Sequence, residues 1–141
     1  VCTSPVDNGT TSTCVITPAS GYLLTSFTDN GVNMKSSVVG GDYSIANVNS
    51  NHTIVASFAD RTPPVVVAPA AINTEATGLL TQVALGTASA TDGVGVLSIT
   101  NNAPASFPLG STIVVWSARD AAGNVGVELF VEEFFKCMVP F

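Results

Sequence analysis

The clearest alternation of apolar and polar positions lies in Phe107–Asn124. After a turn at Pro108-Leu109-Gly110, Thr112, Val114, Trp116 and Ala118 alternate with Ile113, Val115, Ser117 and Arg119. Successive side chains of a strand point to opposite faces, so this period of two predicts a half-buried strand with Trp116 in a core and Ser117 and Arg119 toward water. Asp120–Asn124 predicts a second turn, and Val125–Val131 the returning strand.

The same pattern, shorter and punctuated by turn residues, fills the rest of the chain. Asn8-Gly9 predicts a tight turn that lets Cys2 and Cys14 flank a hairpin. Cys14–Thr17 reads as a strand stopped by Pro18. Tyr22–Thr28 reads as the next, with Tyr22, Leu24 and Ser26 on one face and Leu23, Thr25 and Phe27 on the other. Asp29-Asn30-Gly31 is a hairpin signal leading into Val32–Val39, with Met34 and Val38 on one side. Tyr43–Val48 and Thr53–Ala59 follow. Asp60–Pro64 then carries two prolines, which fix φ and remove donors, and predicts a stiff junction. Beyond it come Val65–Val67, Ala71–Ala76 as an edge strand, Gln82–Leu85, Ala88–Thr91 and Leu97–Thr100. Short strands with frequent turn signals predict an all-β chain: a small β-rich unit over residues 1–59 and an immunoglobulin-like β-sandwich over residues 60–141. No segment has a helical period.

Two stretches carry family resemblances. Ile16-Thr17-Pro18 with Gly21-Tyr22, the Asp29–Gly31 hairpin, and Asn51-His52-Thr53-Ile54 with Ala56 and Phe58 resemble the divergent internalin B-type repeats of bacterial surface and secreted proteins, over residues 1–59. That resemblance implies a small β-rich stalk or spacer and brings no catalytic residue. The family's first hairpin is abbreviated here and carries the Cys2/Cys14 pair. Asp60–Pro64, Glu75–Gly78, Ala90–Asp92 and Phe107–Asn124 are similar, in that order, to the hyalin-repeat (HYR) family over residues 60–131. This second resemblance implies an immunoglobulin-like fold in extracellular proteins with adhesion or display roles and no shared active site.

After Val131 the sequence departs from that family. Leu129–Phe141 holds Phe130, Phe134, Phe135 and Phe141 with Val131, Met138 and Val139, against three charges. An exposed apolar segment of this kind invites pairing. It is expected either to pack on the first unit or to add as a strand to a neighbouring chain. Cys2 and Cys14 are expected to form a disulfide, which needs an oxidising compartment and stabilises by about 2–3 kcal/mol through the unfolded state. Cys137 is then left over, for an intermolecular bond or for none.

Composition narrows the function. The chain is 46% hydrophobic and only 10% charged, against roughly 25% charged in ordinary soluble domains. Few charges remain to keep a lone monomer's surface polar. Its net charge is −6, and its four cations, Lys35, Arg61, Arg119 and Lys136, are scattered singly. Phosphate backbones are bound by clustered cations, so nucleic acid is excluded as a partner and anionic membrane surfaces are disfavoured. No apolar run approaches the roughly 18 residues of a membrane span. The lack of an initiator Met and of a signal-like segment is expected if a mature or excised chain begins at Val1.

Candidate chemistry is sparse. His52 lies in a turn motif, where a solvated role is expected rather than a general base. Glu132 and Glu133 are adjacent in a strand and face opposite ways, unlike cooperating carboxylates. No catalytic residue, cofactor site or metal site is assigned, and the chain is expected not to be an enzyme. The nearest approach to a calcium site is Asp60 at the junction with Asp92 and Asp120 on loops, although Asp120 also suits capping its own turn. Two glycosylation-like triplets, at Asn8 and Asn51, coincide with turns. Tyr22, Phe27 and Tyr43 could form a sugar platform but sit at strand positions that suit a core. The expectation is a non-enzymatic structural or adhesion protein of the bacterial cell surface or exterior, built of tandem β-modules. Its partners are copies of itself, in a homo-oligomer or filament, or other surface proteins, without membrane insertion. The alternative is a monomeric spacer or carbohydrate-binding accessory module of a larger secreted protein.

Overall fold

The computed structural model describes residues 1–135, and the backbone alone at Asn73 and residues 132–135. The described residues are all-β and fall into two compact units, Val1–Arg61 and Thr62–Phe141.

The first unit contains β1 (Ser12–Val15), β2 (Tyr22–Asp29), β3 (Val32–Asn33), a 3-10 turn at Lys35–Ser37, β4 (Asp42–Ile45) and β5 (Ile54–Asp60). They form an antiparallel three-stranded sheet, β3-β2-β5, and an antiparallel pair, β1-β4. Asn30 and Gly31 adopt φ of 48° and 80°, the left-handed conformations that a two-residue hairpin between twisted strands demands. The N-terminal residues run beside β1: Thr3 N–H donates to Thr13 O (3.0 Å), Val15 N–H donates to Val1 O (2.8 Å), and Cys2 is disulfide-bonded to Cys14. Cys14, Ile16, Phe27 and Tyr43 are buried together, with Leu24, Met34, Val38, Ile45 and Ile54 packed around them. The Phe27 and Tyr43 rings meet edge to face, centroids 5.0 Å apart, the arrangement their quadrupoles favour.

Two local features differ from the strand pattern expected of the sequence. Leu24 pairs with Phe58 and Ser26 with Ser57, so Thr25 is an extra residue in β2. This bulge turns Leu24 and Phe27 to the same side, where strict alternation would have parted them. The Thr25 hydroxyl keeps the bulge satisfied by donating to Ser57 O (3.0 Å). The strand expected over Val32–Val39 stops at Asn33. The Asn33 Oδ1 accepts the Lys35 N–H (3.0 Å), and Ser37 N–H reaches back to Met34 O (2.9 Å). A short polar side chain here captures a backbone donor and winds the chain instead of extending it. Met34 and Val38 still pack on the core.

The second unit contains β6 (Val65–Val67), β7 (Asn73–Glu75), β8 (Leu80–Thr81), β9 (Ser89–Thr91), β10 (Val96–Asn101), β11 (Phe107–Pro108), β12 (Gly110–Asp120) and β13 (Val125–Phe135). A four-stranded sheet has the order β10-β12-β13-β7, with β7 running parallel to β13 at its edge. Antiparallel pairs β6-β9 and β8-β11 supply the rest. Val66, Ala88, Phe107, Val114, Trp116 and Ala118 are buried as one cluster, joined by half-buried Val83, Leu85, Ala90, Val96 and Phe130. Side chains of the four-stranded sheet thus meet those of the strand pairs, as in an immunoglobulin-like sandwich.

Where the sequence predicts a returning strand that ends at Val131, β13 continues to Phe135. The turn at Asp120–Asn124 sets the register, with Arg119 opposite Val125. β12 begins at Gly110, so its first residues find partners only if the return strand goes on: Thr112 lies opposite Glu132, Ser111 opposite Glu133 and Gly110 opposite Phe134. Residues 132–135, read from the sequence as part of an apolar tail, therefore belong to the sheet's backbone ladder. Cys137 and Phe141 lie outside the described residues.

Candidate functional site

Alternation along β12 sorts the sandwich's side chains between two environments. Val114, Trp116 and Ala118 are 0%, 6% and 1% exposed, which makes Trp116 a core residue. Phe130, opposite Val114, packs against the same core. The other face of the β12-β13 hairpin is apolar and open. Ile113 pairs with Val131, Val115 with Leu129, Ser117 with Val127 and Arg119 with Val125. Ile113, Val125, Val127, Leu129 and Val131 are 46–68% exposed. Single exposed aliphatics are ordinary, but five on one sheet face form a patch of the kind that marks contact surfaces.

Of the three aspartates that the sequence singles out, Asp92 and Asp120 come together within this unit, with carboxylate oxygens inside 4.8 Å. The pairing of Val96 with Asp120 and the bond from Ala121 N–H to Gly95 O (3.3 Å) draw their turns side by side. Asp120 is fully buried. Burial alone would raise its carboxyl, but donation from the Asn124 side chain and from the backbone of Asn124, Gly123 and Ala122 outweighs it and holds the group below the ordinary 3.8. Asn124 N–H and Nδ2 reach the two carboxylate oxygens at 2.8 Å, the turn-capping role expected for this residue. Asp92 Oδ1 accepts the Val94 N–H (2.8 Å), and its Oδ2 is buried without a partner among the described residues. Asp60 ends β5 in the first unit, where it is 8% exposed.

The first unit holds a cleft of about 520 Å³, with Cys2 and Cys14 in its lining. Its walls come from the N-terminal residues Thr3–Val6, the turn at Asn8, and Val48–His52 with Ile54. Gly9 N–H donates to Val48 O (2.8 Å) and Val48 N–H to Thr10 O (2.9 Å), which ties the first turn to the later segment and shapes the rim. Phe27 and Tyr43, considered as a sugar platform from sequence, are buried and contribute no surface here.

One polar constellation at this cleft escaped the sequence reading. His52 Nδ1 lies 2.8 and 2.9 Å from the two Asp29 oxygens, and the Tyr43 hydroxyl donates to Asp29 Oδ2 at 3.0 Å. Asp29 is 8% exposed, so its carboxylate is satisfied from both sides rather than by water. The register of β2 with β5 sets Asp29 opposite Ile54, two residues beyond His52, and so delivers the imidazole. Both residues sit in motifs that read as turns, Asp-Asn-Gly and Asn-His-Thr, and the hint available from sequence was only that both motifs carry a polar residue beyond turn needs. Asp29 thus ties the His52 ring to the Tyr43 hydroxyl and fixes the orientation of the imidazole.

The same network gives a pH expectation. Burial first, then the hydrogen bond to Asp29 and its charge, push the Tyr43 phenol above its ordinary 10.0. The folded unit favours the neutral phenol, so that contribution is complete below pH 10 and is lost as pH rises through the raised value. Urea unfolding of the first unit, measured from pH 8 upward, should show stability falling above about pH 10 in the parent. In Tyr43→Phe that fall should be absent, after a constant loss of about 1 kcal/mol for the missing bond. An unchanged alkaline fall in Tyr43→Phe would remove Tyr43 as its source.

Comparison with known proteins agrees with this division into a small cleft-bearing unit and a sandwich. Residues 1–62 match the Divergent InlB B-repeat domain, and residues 59–130 match the HYR domain. No curated protein and no solved structure matches the chain. Just over half of the sequence lies under the second match, which takes in the core Trp116 and the capped Asp120 turn: the chain belongs to the HYR domain family, with a divergent InlB B-repeat joined ahead of the sandwich.

Proposed function

We propose that the chain is an adhesion or display module of the bacterial cell surface that associates with copies of itself through the outer face of β12 and β13. Both families are of non-catalytic structural and adhesion domains, and they suggest an extracellular module. No helix among the described residues is long and apolar enough to cross a membrane. The observation that carries the reading is the open aliphatic face of Ile113, Val125, Val127, Leu129 and Val131. Burying such side chains is worth about 25 cal/mol per Å² of apolar surface removed from water, and the sparse charge of the chain supplies little repulsion against it. Two copies meeting on one shared face make a closed dimer. Growth into a filament needs a second contact, and that role falls to the apolar residues of Cys137–Phe141.

Light scattering after size exclusion tests the reading. The parent chain should run as a dimer or larger species. Val127→Lys combined with Leu129→Lys should return it to a monomer, with little change in the unfolding midpoint because both side chains already face solvent. Removal of residues 136–141 should leave the dimer and abolish anything longer. A parent that is monomeric at high concentration would favour the spacer function instead.

A further inference from the structure

We infer that the cleft of the first unit is a binding site for an uncharged, hydroxyl-rich ligand, the end of a neutral saccharide. Its polar wall exceeds what the fold uses. Asn8, Asn49, Ser50 and Asn51 line the cleft, and none makes a hydrogen bond to a described residue. Amide and hydroxyl side chains both donate and accept, which matches hydroxyl groups that do the same. His52 adds an oriented group: Asp29 engages Nδ1 from both carboxylate oxygens, so Nε2 is the ring nitrogen left for a ligand. Between these groups lie Val48 and Ile54, apolar surface suited to the C–H faces of a sugar ring. A cleft of about 520 Å³ falls within the range that small ligands fill.

Charge and backbone geometry narrow the class. The lining contains no Lys, Arg, Asp or Glu, so neither an anion nor a cation meets a fixed counter-charge, and burying one without a partner is costly. A peptide is taken most readily by strand addition, which needs a free strand edge. The polar wall at residues 46–53 forms no strand and offers no template for that mode, and the edge strands β4 and β5 reach the lining only at their end residues, Ile45 and Ile54. With no Phe, Tyr or Trp in the lining to stack on a sugar ring, the affinity expected is weak, with Kd on the order of 1 mM. This site lies in the first unit and is independent of the aliphatic face proposed for self-association.

Saturation-transfer NMR on the full chain tests it, because the method tolerates an assembling protein. The probes are glucose, galactose, mannose, N-acetylglucosamine and their disaccharides, with N-acetylneuraminic acid and trialanine as charged and peptide controls. At least one neutral sugar should receive saturation. Ser50→Ala and Asn51→Ala, at exposed side chains that the fold does not use, should each weaken it about three- to tenfold. Val127→Lys with Leu129→Lys should leave it unchanged, which separates this site from the assembly face. No saturation of any neutral sugar, preferential saturation of either control, or a signal indifferent to the combined Ser50→Ala and Asn51→Ala change would each overturn the assignment.

Discussion

Replacing Trp116 with alanine should cost the sandwich about 3–5 kcal/mol, the usual loss for truncating a buried Trp or Phe. The side chain is 6% exposed and shares a cluster with Phe107, Val114 and Ala118. A unit of this size is held by only about 4–12 kcal/mol in total, so the variant should be largely unfolded at moderate urea concentrations where the parent is native. Circular dichroism would follow the transition, since the fluorescence probe is the residue removed. Trp116→Phe separates volume from polarity. The indole Nε1 is buried without a partner among the described residues, and deleting such a donor removes a desolvation cost. The Phe variant should therefore lose only about 1–2 kcal/mol. Arg119→Ala, on the exposed face, should stay within about 0.5 kcal/mol of the parent. If Trp116→Ala unfolds at the parent's midpoint, Trp116 does not hold the sandwich together.

Trp116 could be placed from the sequence because buried and more open positions alternate along β12 from Val114 to Asp120. The hairpin at Asn30-Gly31 was legible for a similar reason: few residue pairs take two positive φ angles in succession. Legibility failed where a single side chain or an extra residue redirected the backbone. The Thr25 bulge put Leu24 and Phe27 on one side, and period-two reading has no means to insert a residue. The Asn33 amide ended β3 through a bond to Lys35 N–H, although Val32–Val39 kept a strand-like pattern. The length of β13 was hidden too, because it follows from where β12 begins and not from its own composition.

The candidate sites were legible only in part. The aliphatic residues of β12 and β13 are plain in the sequence, yet apolar residues occupy both faces of that hairpin, so only the packing shows which set is open. The Asp92–Asp120 approach follows from turn positions that could be named in advance. The cleft could not. It is assembled from residues near 5, 8 and 50, and the partner that orients His52 is 23 residues away in sequence. Side-chain chemistry identified each of those residues as a turn former, and the tertiary register alone turns them toward one space.

Gly126→Ala should destabilise the sandwich by about 3 kcal/mol or more, although it adds a single methyl group. Gly126 is buried in β13 opposite Ala118, and a Cβ built there overlaps the carbonyl oxygen of Pro64. The obstacle is backbone, not the movable end of a side chain. It is also stiff, because Pro63 and Pro64 restrict the chain and β6 begins at the next residue. Accommodating the methyl would require β6 to move off β13, which would open the core at Val66, itself 7% exposed. Intrinsic preference argues the other way, since glycine in a strand interior is ordinarily replaced with a gain. The two effects therefore have opposite signs, and their balance is decided by a contact across sixty-two residues of sequence. A Gly126→Ala chain with a thermal midpoint equal to or above the parent's would show that the β6 segment stands farther from β13 than this close approach. Gly93→Ala, where a Cβ meets no atom within 4 Å, supplies the control and should be nearly neutral.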